Sequence, residues 1–384
     1  MDFSWPKEYL TYKASVIEFA QAELGGNVYE REQRQEFPKD LWTKCADFGI
    51  QGLALPPEHG GSLPSEGGFL RALLAMEGLG YGCEDNGLAL GLNAVMWTVQ
   101  TPILHFGSEA QKQKYLSKTV SGEWLGVHAL TEPEAGSDVY SMKMSAEKVD
   151  GGYVLNGRKV LITMAPACDF ALIFAVTNPK FGKWGISAFL VDKGTPGFSI
   201  GKRQPKLGMR SIPIGQLEFT DCFVPEENRL GGEGAGYSLV NHSLEYDRCC
   251  ILASQLGAME RQLEKTIAFA KERKQFKQPI GQFQSVSNRI VDMKLRHETA
   301  QLLLYKTAWL KEKGESITME SAMLKLHLSE AFLASSMDAM RTYGGRSYLM
   351  ENGLDRDLRD AIGGVLYAGT SDIQKNIIAQ LLGL

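Results

Sequence analysis

Proline is absent from Ile280 through Leu384, and this constrains the fold of the chain more than any other feature. Proline lacks the N–H that a helix interior needs, and its ring clashes with the carbonyl one turn earlier. A long stretch without it favours long helices, here with apolar residues at Ile290, Met293, Leu295 and Leu302-Leu303-Leu304, packed as a bundle. The other end of the chain also has a helical texture. Up to Glu123, apolar residues recur at three- and four-residue steps, as in Leu41, Cys45, Phe48 and then Phe69, Leu73, Met76, with loops at Pro56-Pro57 and Gly60-Gly61. Between Trp124 and Leu230 lie seven of the fourteen prolines and several short β-rich runs.

In that middle region, Tyr153–Leu155, Asn156-Gly157 and Val160–Thr163 read as a hairpin, because Asn-Gly supplies the positive φ angles of a tight turn. Asp169–Thr177, Ile186–Asp192 and Gln216–Phe219 read as further strands. The Gly231–Gly236 run lacks G-x-G-x-x-G spacing and reads as a flexible domain joint rather than a phosphate loop. The expected fold class is α+β: an N-terminal α-helical domain over 1–123, a middle β-barrel-like domain over 124–232, and a C-terminal four-helix bundle over 233–384.

Composition narrows the function classes. At 384 residues, 44% hydrophobic and 22% charged, the chain has the make-up of a globular protein with room for several cores. A net charge of −4 argues against a nucleic-acid binder with a global basic field. No secretory signal opens the chain, and no apolar run of bilayer-spanning length stands out. Six scattered cysteines without a C-x-x-C pair fit neither a disulfide framework nor a zinc site. A reducing, cytoplasmic compartment is expected, with no metal, nucleic-acid or membrane partner.

Four motifs, in order along nearly the whole chain, resemble those of the acyl-CoA dehydrogenase family. The first is ALTEPEAGSD (Ala129–Asp138), similar to the loop that meets the flavin and substrate. The resemblance gives Leu130, Thr131 and Ser137 contacts to FAD, and His128 is counted with them. GRKVLITMAP (Gly157–Pro166) resembles the strand beside the flavin ring, with Thr163 near flavin N5. Leu161 stands where an aromatic residue is usual, and Met164 where asparagine is usual, which implies a softer, more apolar wall. ERKQFKQPIGQFQSV (Glu272–Val286) resembles the segment that crosses a dimer interface to the FAD pyrophosphate and adenine. It implies roles for Arg273, Gln275, Phe276 and Gln284, with Lys277 where glycine is common. TYGGRSY (Thr342–Tyr348) and LYAGTSDIQ (Leu366–Gln374) complete the set. By the same resemblance Gly344 and Gly345 would admit phosphates and Thr370 and Asp372 would contact adenosine, with Arg341 in place of a common glutamine. The resemblance thus implies an FAD flavoprotein assembled as a homodimer or homotetramer.

Oxidising a thioester needs a carboxylate beside its α carbon while hydride leaves for the flavin. Many family members carry that carboxylate where this chain has Ala368. Others carry it on the first long helix of the bundle, in a Leu-Asp-(Tyr/Leu)-Glu-Arg pattern that Leu244-Glu-Tyr-Asp-Arg248 resembles with the acids exchanged. By register Asp247 is the base, next to Arg248. Helical steps agree, since Val240, Leu244, Asp247, Ile251 and Ala258 form one largely apolar stripe, whereas Glu245 lies beside Asn241, His242 and Arg248. A carboxylate on such a stripe is desolvated and its pKa rises. The alternatives are an Asp247 that only pairs with a buried arginine, or Glu245 as base. Ala368 keeps the backbone N–H that clamps the thioester carbonyl in the family.

The segment IGQFQSVSNRIVDMKLR, the ending NIIAQLLGL and the missing glutamate look closest to members acting on carrier-protein-bound substrates, prolyl thioesters among them. The resemblance therefore implies an acyl or aminoacyl group on a phosphopantetheine carrier, with oxygen or a flavoprotein as electron acceptor. Two other readings stand beside it: a short or branched-chain acyl-CoA dehydrogenase, and a flavoprotein that lost its base.

Overall fold

The computed structural model describes residues 5–64 and 66–384. A first helical layer comprises α1 (Lys7–Glu23), α2 (Val28–Arg34), α3 (Lys39–Phe48), α4 (Gly68–Gly82), α5 (Asn86–Ala94), α6 (Thr101–Phe106) and α7 (Glu109–Val120). Buried Leu41, Cys45, Leu73 and Met76 supply the inward face that their spacing predicts. A π-helical stretch, Val95–Gln100, joins α5 to α6, so the backbone stays helical from Asn86 to Phe106. This corrects the reading that no run is long and apolar enough to span a bilayer. The window qualifies by length and composition, but 89% of it is buried inside the protein, as a core helix is.

The middle of the chain forms an eight-stranded sheet: β1 (Gly126–Ala129), β2 (Ser145–Val149), β3 (Gly152–Thr163), β4 (Phe170–Val176), β5 (Ile186–Asp192), β6 (Phe198–Ile200), β7 (Ile214–Pro225) and β8 (Arg229–Leu230). The order is β6-β7-β3-β2-β4-β5-β8, with β1 parallel to β4. The expected hairpin at Asn156-Gly157 is absent. Residues 152–163 are one strand, and Asn156-Gly157 falls at a bulge opposite β7, where the register shifts between Leu155 and Gly157. The real turn is Asp150-Gly151, which joins β2 to β3 with Gly151 at φ 74°. Asp-Gly is as strong a hairpin signal as Asn-Gly.

After the sheet come α8 (Gly236–Cys250), α9 (Ala253–Glu272), a two-stranded turn of β9 (Lys274–Gln275) and β10 (Gln278–Pro279), then α10 (Gln284–Glu312), α11 (Thr318–Tyr343), α12 (Leu354–Gly364) and α13 (Ser371–Leu381). The glycine-rich joint before α8 is tied down, with the Gly234 N–H donating to the Ser187 hydroxyl at 2.9 Å. The expected stripe, which skips one turn to reach Ala258, is broken: a turn at Ile251-Leu252 ends α8, and Ala258 belongs to α9. The first layer meets the bundle where α4 crosses α9 at backbone contact. A Cβ on Gly80 would lie 1.8 Å from the Ser254 carbonyl oxygen, and one on Gly257 would lie 1.9 Å from that of Glu77. Only glycine fits there.

Candidate active site

Asp247 sits in the last turn of α8 and is 7% exposed. Burial pushes its carboxyl up from 3.8 to about 7, against the pull of Arg248 and Lys325. Among the described residues its carboxylate accepts no hydrogen bond and has no cation within 4 Å, so it is not spent in an ion pair with arginine. Arg248 turns elsewhere, its Nε donating to the Ala368 carbonyl at 3.5 Å. Lys325 of α11 is fully buried, and its Nζ has no hydrogen-bond partner among the described residues. Burial lowers it to about 8, and the nearby Asp247 charge partly restores it. The Tyr367 phenol is raised by burial first and then by Asp247, and it accepts a 2.7 Å hydrogen bond from Gln255.

The turn after α12 lies beside the end of α8, with Tyr367 within electrostatic reach of Asp247 and Arg248 bonded to the Ala368 carbonyl. Ala368 has φ 54°, a left-handed conformation that costs a non-glycine residue about 1–2 kcal/mol. Gln374, fully buried on α13, fixes the turn by donating to the carbonyls of Ala368 (3.1 Å) and Gly369 (3.0 Å). The Ser371 N–H closes it onto the Val365 carbonyl at 3.0 Å. Among the described residues nothing accepts from the Ala368 N–H. A strained turn, pinned on its carbonyl side with its donor free, can polarise a carbonyl oxygen placed there. Glu245 is engaged elsewhere, in a 2.5 Å ion pair with Lys311.

The ALTEPEAGSD loop is held from beneath. Lys159, fully buried on β3, donates to the Leu130 carbonyl at 3.0 Å and to Glu132 at 2.8 Å. Glu132 also accepts from the N–H groups of Lys143 (2.6 Å) and Met144 (3.1 Å). The Thr131 carbonyl accepts from Val160 at 2.9 Å, which sets the loop alongside β3. Ser137 is exposed, and Thr163 is half-buried at the end of β3. The His128 ring is engaged with the Ser243 hydroxyl at 3.2 Å and is lowered to about 4 by burial and Lys159, so it remains neutral. Leu161 is 58% exposed at φ 58°, between two register positions of β3. Met164 instead points inward and is 1% exposed, so the softer wall expected of both residues is presented by Leu161 alone.

Of the remaining candidates, Arg273, Gln275, Phe276, Gln284, Arg341, Gly344 and Gly345 gather at the far end of the bundle, whereas Thr370 and Asp372 follow the Ala368 turn. Arg273, Gln275 and Gln284 are exposed. Phe276 is 89% exposed on a turn in which Phe276 (φ 49°) and Lys277 (φ 67°) are both left-handed. Glycine relieves such a turn, so Lys277 accepts strain there. Tyr343 stacks on Phe269 of α9 at 3.9 Å, bringing Gly344 and Gly345 to this end. Neither glycine has an atom within 4 Å of where a Cβ would stand, so the backbone is open to phosphate. Arg341 is exposed beside Asp338 (3.5 Å). Thr370 caps α13, accepting from Ile373 at 3.3 Å, and Asp372 is exposed beside Lys375 (3.5 Å). Among the described residues no hydrogen bond, ion pair or ring contact joins this far group to the β3 group.

Three family models match the chain: the acyl-CoA dehydrogenase N-terminal domain over residues 6–123, the middle domain over 128–222 and the C-terminal domain over 234–383. The chain belongs to the acyl-CoA dehydrogenase family. It is 41% identical over 384 residues to an L-prolyl-[peptidyl-carrier protein] dehydrogenase of a Serratia species, covering 100% of this chain and 99% of that one. The prolyl acyl carrier protein oxidase AnaB superposes with a TM-score of 0.97 at 42% identity, over 99% of this chain and 100% of that one. A structure of PigA with FAD and proline superposes with a TM-score of 0.97 at 40% identity, over 100% of both chains. The fold and the dehydrogenase class that the motifs imply therefore hold.

Sequence reasoning did not reach Lys325, Tyr367, Gln255, Gln374, Lys159 or Glu132. Of these, Glu132, Lys159, Tyr367 and Gln374 lie within the quoted motifs, and Lys159 shares the inward parity of buried Tyr153 and Leu155 along β3.

Proposed function

We propose that this chain is an FAD-dependent dehydrogenase of an aminoacyl thioester, prolyl in first place, tethered to the phosphopantetheine arm of a carrier protein in secondary-metabolite biosynthesis. The observation that carries the reading is the buried carboxylate of Asp247, unpaired, beside a strained turn that leaves the Ala368 N–H free. The Ala368 N–H binds the thioester carbonyl and acidifies the α carbon, Asp247 takes the α proton, and Arg248 holds the Ala368 turn through its carbonyl. FAD, when bound, accepts the hydride. The residues present fit it: an exposed apolar plate at Leu161 beside the Thr131 loop suits a flavin ring, while Arg273, Gly344 and Gly345 suit a pyrophosphate.

That the two groups of candidates lie apart in one chain supports a homodimer, or a tetramer of dimers, in which the Phe276 turn of one copy completes the site of another. The six cysteines are all buried and unpaired, which supports a reducing, cytoplasmic compartment.

The test is anaerobic mixing of the flavin-loaded protein with a prolyl group on a carrier protein and, in parallel, on coenzyme A. Bleaching of the flavin by the carrier-bound prolyl group, faster than by prolyl-CoA, is expected. Bleaching by butyryl-CoA with none by either prolyl thioester would overturn the reading.

A further inference from the structure

The 3-10 turn Pro179–Gly185 between β4 and β5 carries two large exposed apolar side chains, Phe181 (64%) and Trp184 (56%). Lys180 and Lys183 are exposed beside them, and among the described residues neither has a carboxylate within 4 Å. The turn is built rather than loose. The N–H groups of Thr177 and Asn178 donate to the Gly185 carbonyl at 2.8 and 3.0 Å, and the Asn178 side chain accepts from the Lys180 N–H at 3.1 Å. A Cβ on Gly185 would lie 1.8 Å from the Asn178 carbonyl oxygen, so only glycine closes it this tightly. An exposed aromatic pair flanked by lysines without a carboxylate partner, on a fixed scaffold, marks an interaction surface.

From this turn a line of contacts leads along α8 to Arg248, next to the base Asp247. Trp184 packs edge-on against Tyr237 at 4.6 Å, the Lys183 ammonium lies 4.3 Å from the Tyr237 ring centre, and Tyr237 meets Tyr140 at 5.1 Å. The Tyr140 hydroxyl donates to Asn241 at 3.0 Å, and Tyr140 lies within electrostatic reach of Arg248. Along α8, Tyr237, Asn241, Leu244 and Arg248 follow steps of four, three and four, which keep one face of the helix. At about 1.5 Å per residue, the run from Tyr237 to Asp247 is ~15 Å, on the scale of an extended phosphopantetheine arm. An arm that ran along this face of α8 from Asp247 would end beside Lys183 and Trp184.

We infer that the Pro179–Gly185 turn is the docking surface for the carrier protein, which meets it with an acidic face around its phosphopantetheinylated serine; this rests on the function proposed above. Lys180 and Lys183 attract the acidic face and the phosphodiester, Phe181 and Trp184 bury against it, and the arm follows α8 inward.

The test compares native protein with the double variant Lys180→Glu, Phe181→Ala, which leaves the contacts of Tyr237 untouched. Three substrates carry the same prolyl group: a stand-alone peptidyl carrier protein, pantetheine and coenzyme A. Expected is a loss of about tenfold or more in kcat/KM for the carrier-bound group, mainly through KM, with prolyl-pantetheine turnover unchanged; added salt slows the native carrier reaction but has little effect on the variant. An equal loss on carrier and pantetheine assigns the turn to the fold or tunnel and overturns the inference, as does an unchanged carrier reaction. A loss confined to coenzyme A overturns it too, because the lysines then serve that molecule's phosphates. Failure of the native protein with every prolyl thioester overturns the functional reading itself and is seen before any variant is compared.

Discussion

Two buried carboxylates, Glu132 beneath the ALTEPEAGSD loop and Asp247 at the end of α8, have nearly equal exposure, 6% and 7%. Their surroundings are opposite. Glu132 has an ammonium at 2.8 Å and two backbone N–H donors. Asp247 has none of these, and the nearest buried lysine, Lys325, is itself without a hydrogen-bond partner. A satisfied buried ion holds a loop in place, whereas an unsatisfied one keeps its proton affinity for something that arrives later. Burial alone does not separate structure from chemistry; the partner count does.

The largest effect that sharpens this contrast is in folding. Lys159→Met strands a buried Glu132 charge and should cost about 3–5 kcal/mol, while Lys159→Met with Glu132→Leu recovers most of it. Urea unfolding curves of the two variants measure this, and a native midpoint for the single variant would remove the pair from its role.

Asp247 should behave in the reverse sense. Its folded pKa, about 7, lies above the ordinary 3.8. Its protonated form is favoured by folding, so the stability it contributes is complete below about pH 4 and is lost as pH rises through about 7. Asp247→Asn should therefore melt higher than native protein at pH 8, by a few degrees, and hardly differently at pH 4. An equal or lower melting point at pH 8 would show that the native carboxylate has a partner there.

Next in size is a shift along the pH axis. The charged and titratable groups around Asp247 are Arg248 and Cys250 on its own helix, Lys325 on α11 and Tyr367 after α12. Lys325→Met removes a cation that holds the Asp247 pKa down. The acid limb of kcat should move to higher pH, with activity reduced at pH 6 and near native at pH 9. A uniform loss at all pH values would make Lys325 a packing element only. Smallest is Glu245→Gln, which gives up a partly exposed pair with Lys311 worth about 1 kcal/mol or less. Turnover should change by less than about threefold, measured under the same saturating conditions.

How much of this could be read in advance depended on whether a residue obeys a local period. The inward position of Asp247 follows from three- and four-residue steps within α8, a short range over which helical geometry is reliable. The same steps fail at Ala258, because two turn residues, Ile251 and Leu252, reset the phase. In β3, Lys159 keeps the parity of buried Tyr153 and Leu155, so its charge rather than the period disguises it as a surface residue; Asn156-Gly157 falls at a register shift and not a turn, while Asp150-Gly151 carries the hairpin. Lys325 gives no signal at all. A lysine in a helix ordinarily reaches water, and only the packing of α11 against α8 buries it. The free N–H of Ala368 was legible because a backbone donor survives any side-chain exchange; the Gln374 clamp that leaves it free is a tertiary contact.

The most direct test of the comparison is the single-turnover rate of flavin bleaching by a prolyl thioester in Asp247→Asn. The amide keeps the shape of the side chain and loses the proton acceptor. Flavin content and thioester binding should stay close to native, with bleaching slowed by about a hundred- to ten-thousand-fold. Bleaching at the native rate in Asp247→Asn, together with a large loss in Glu245→Gln, would contradict it and move the base to Glu245.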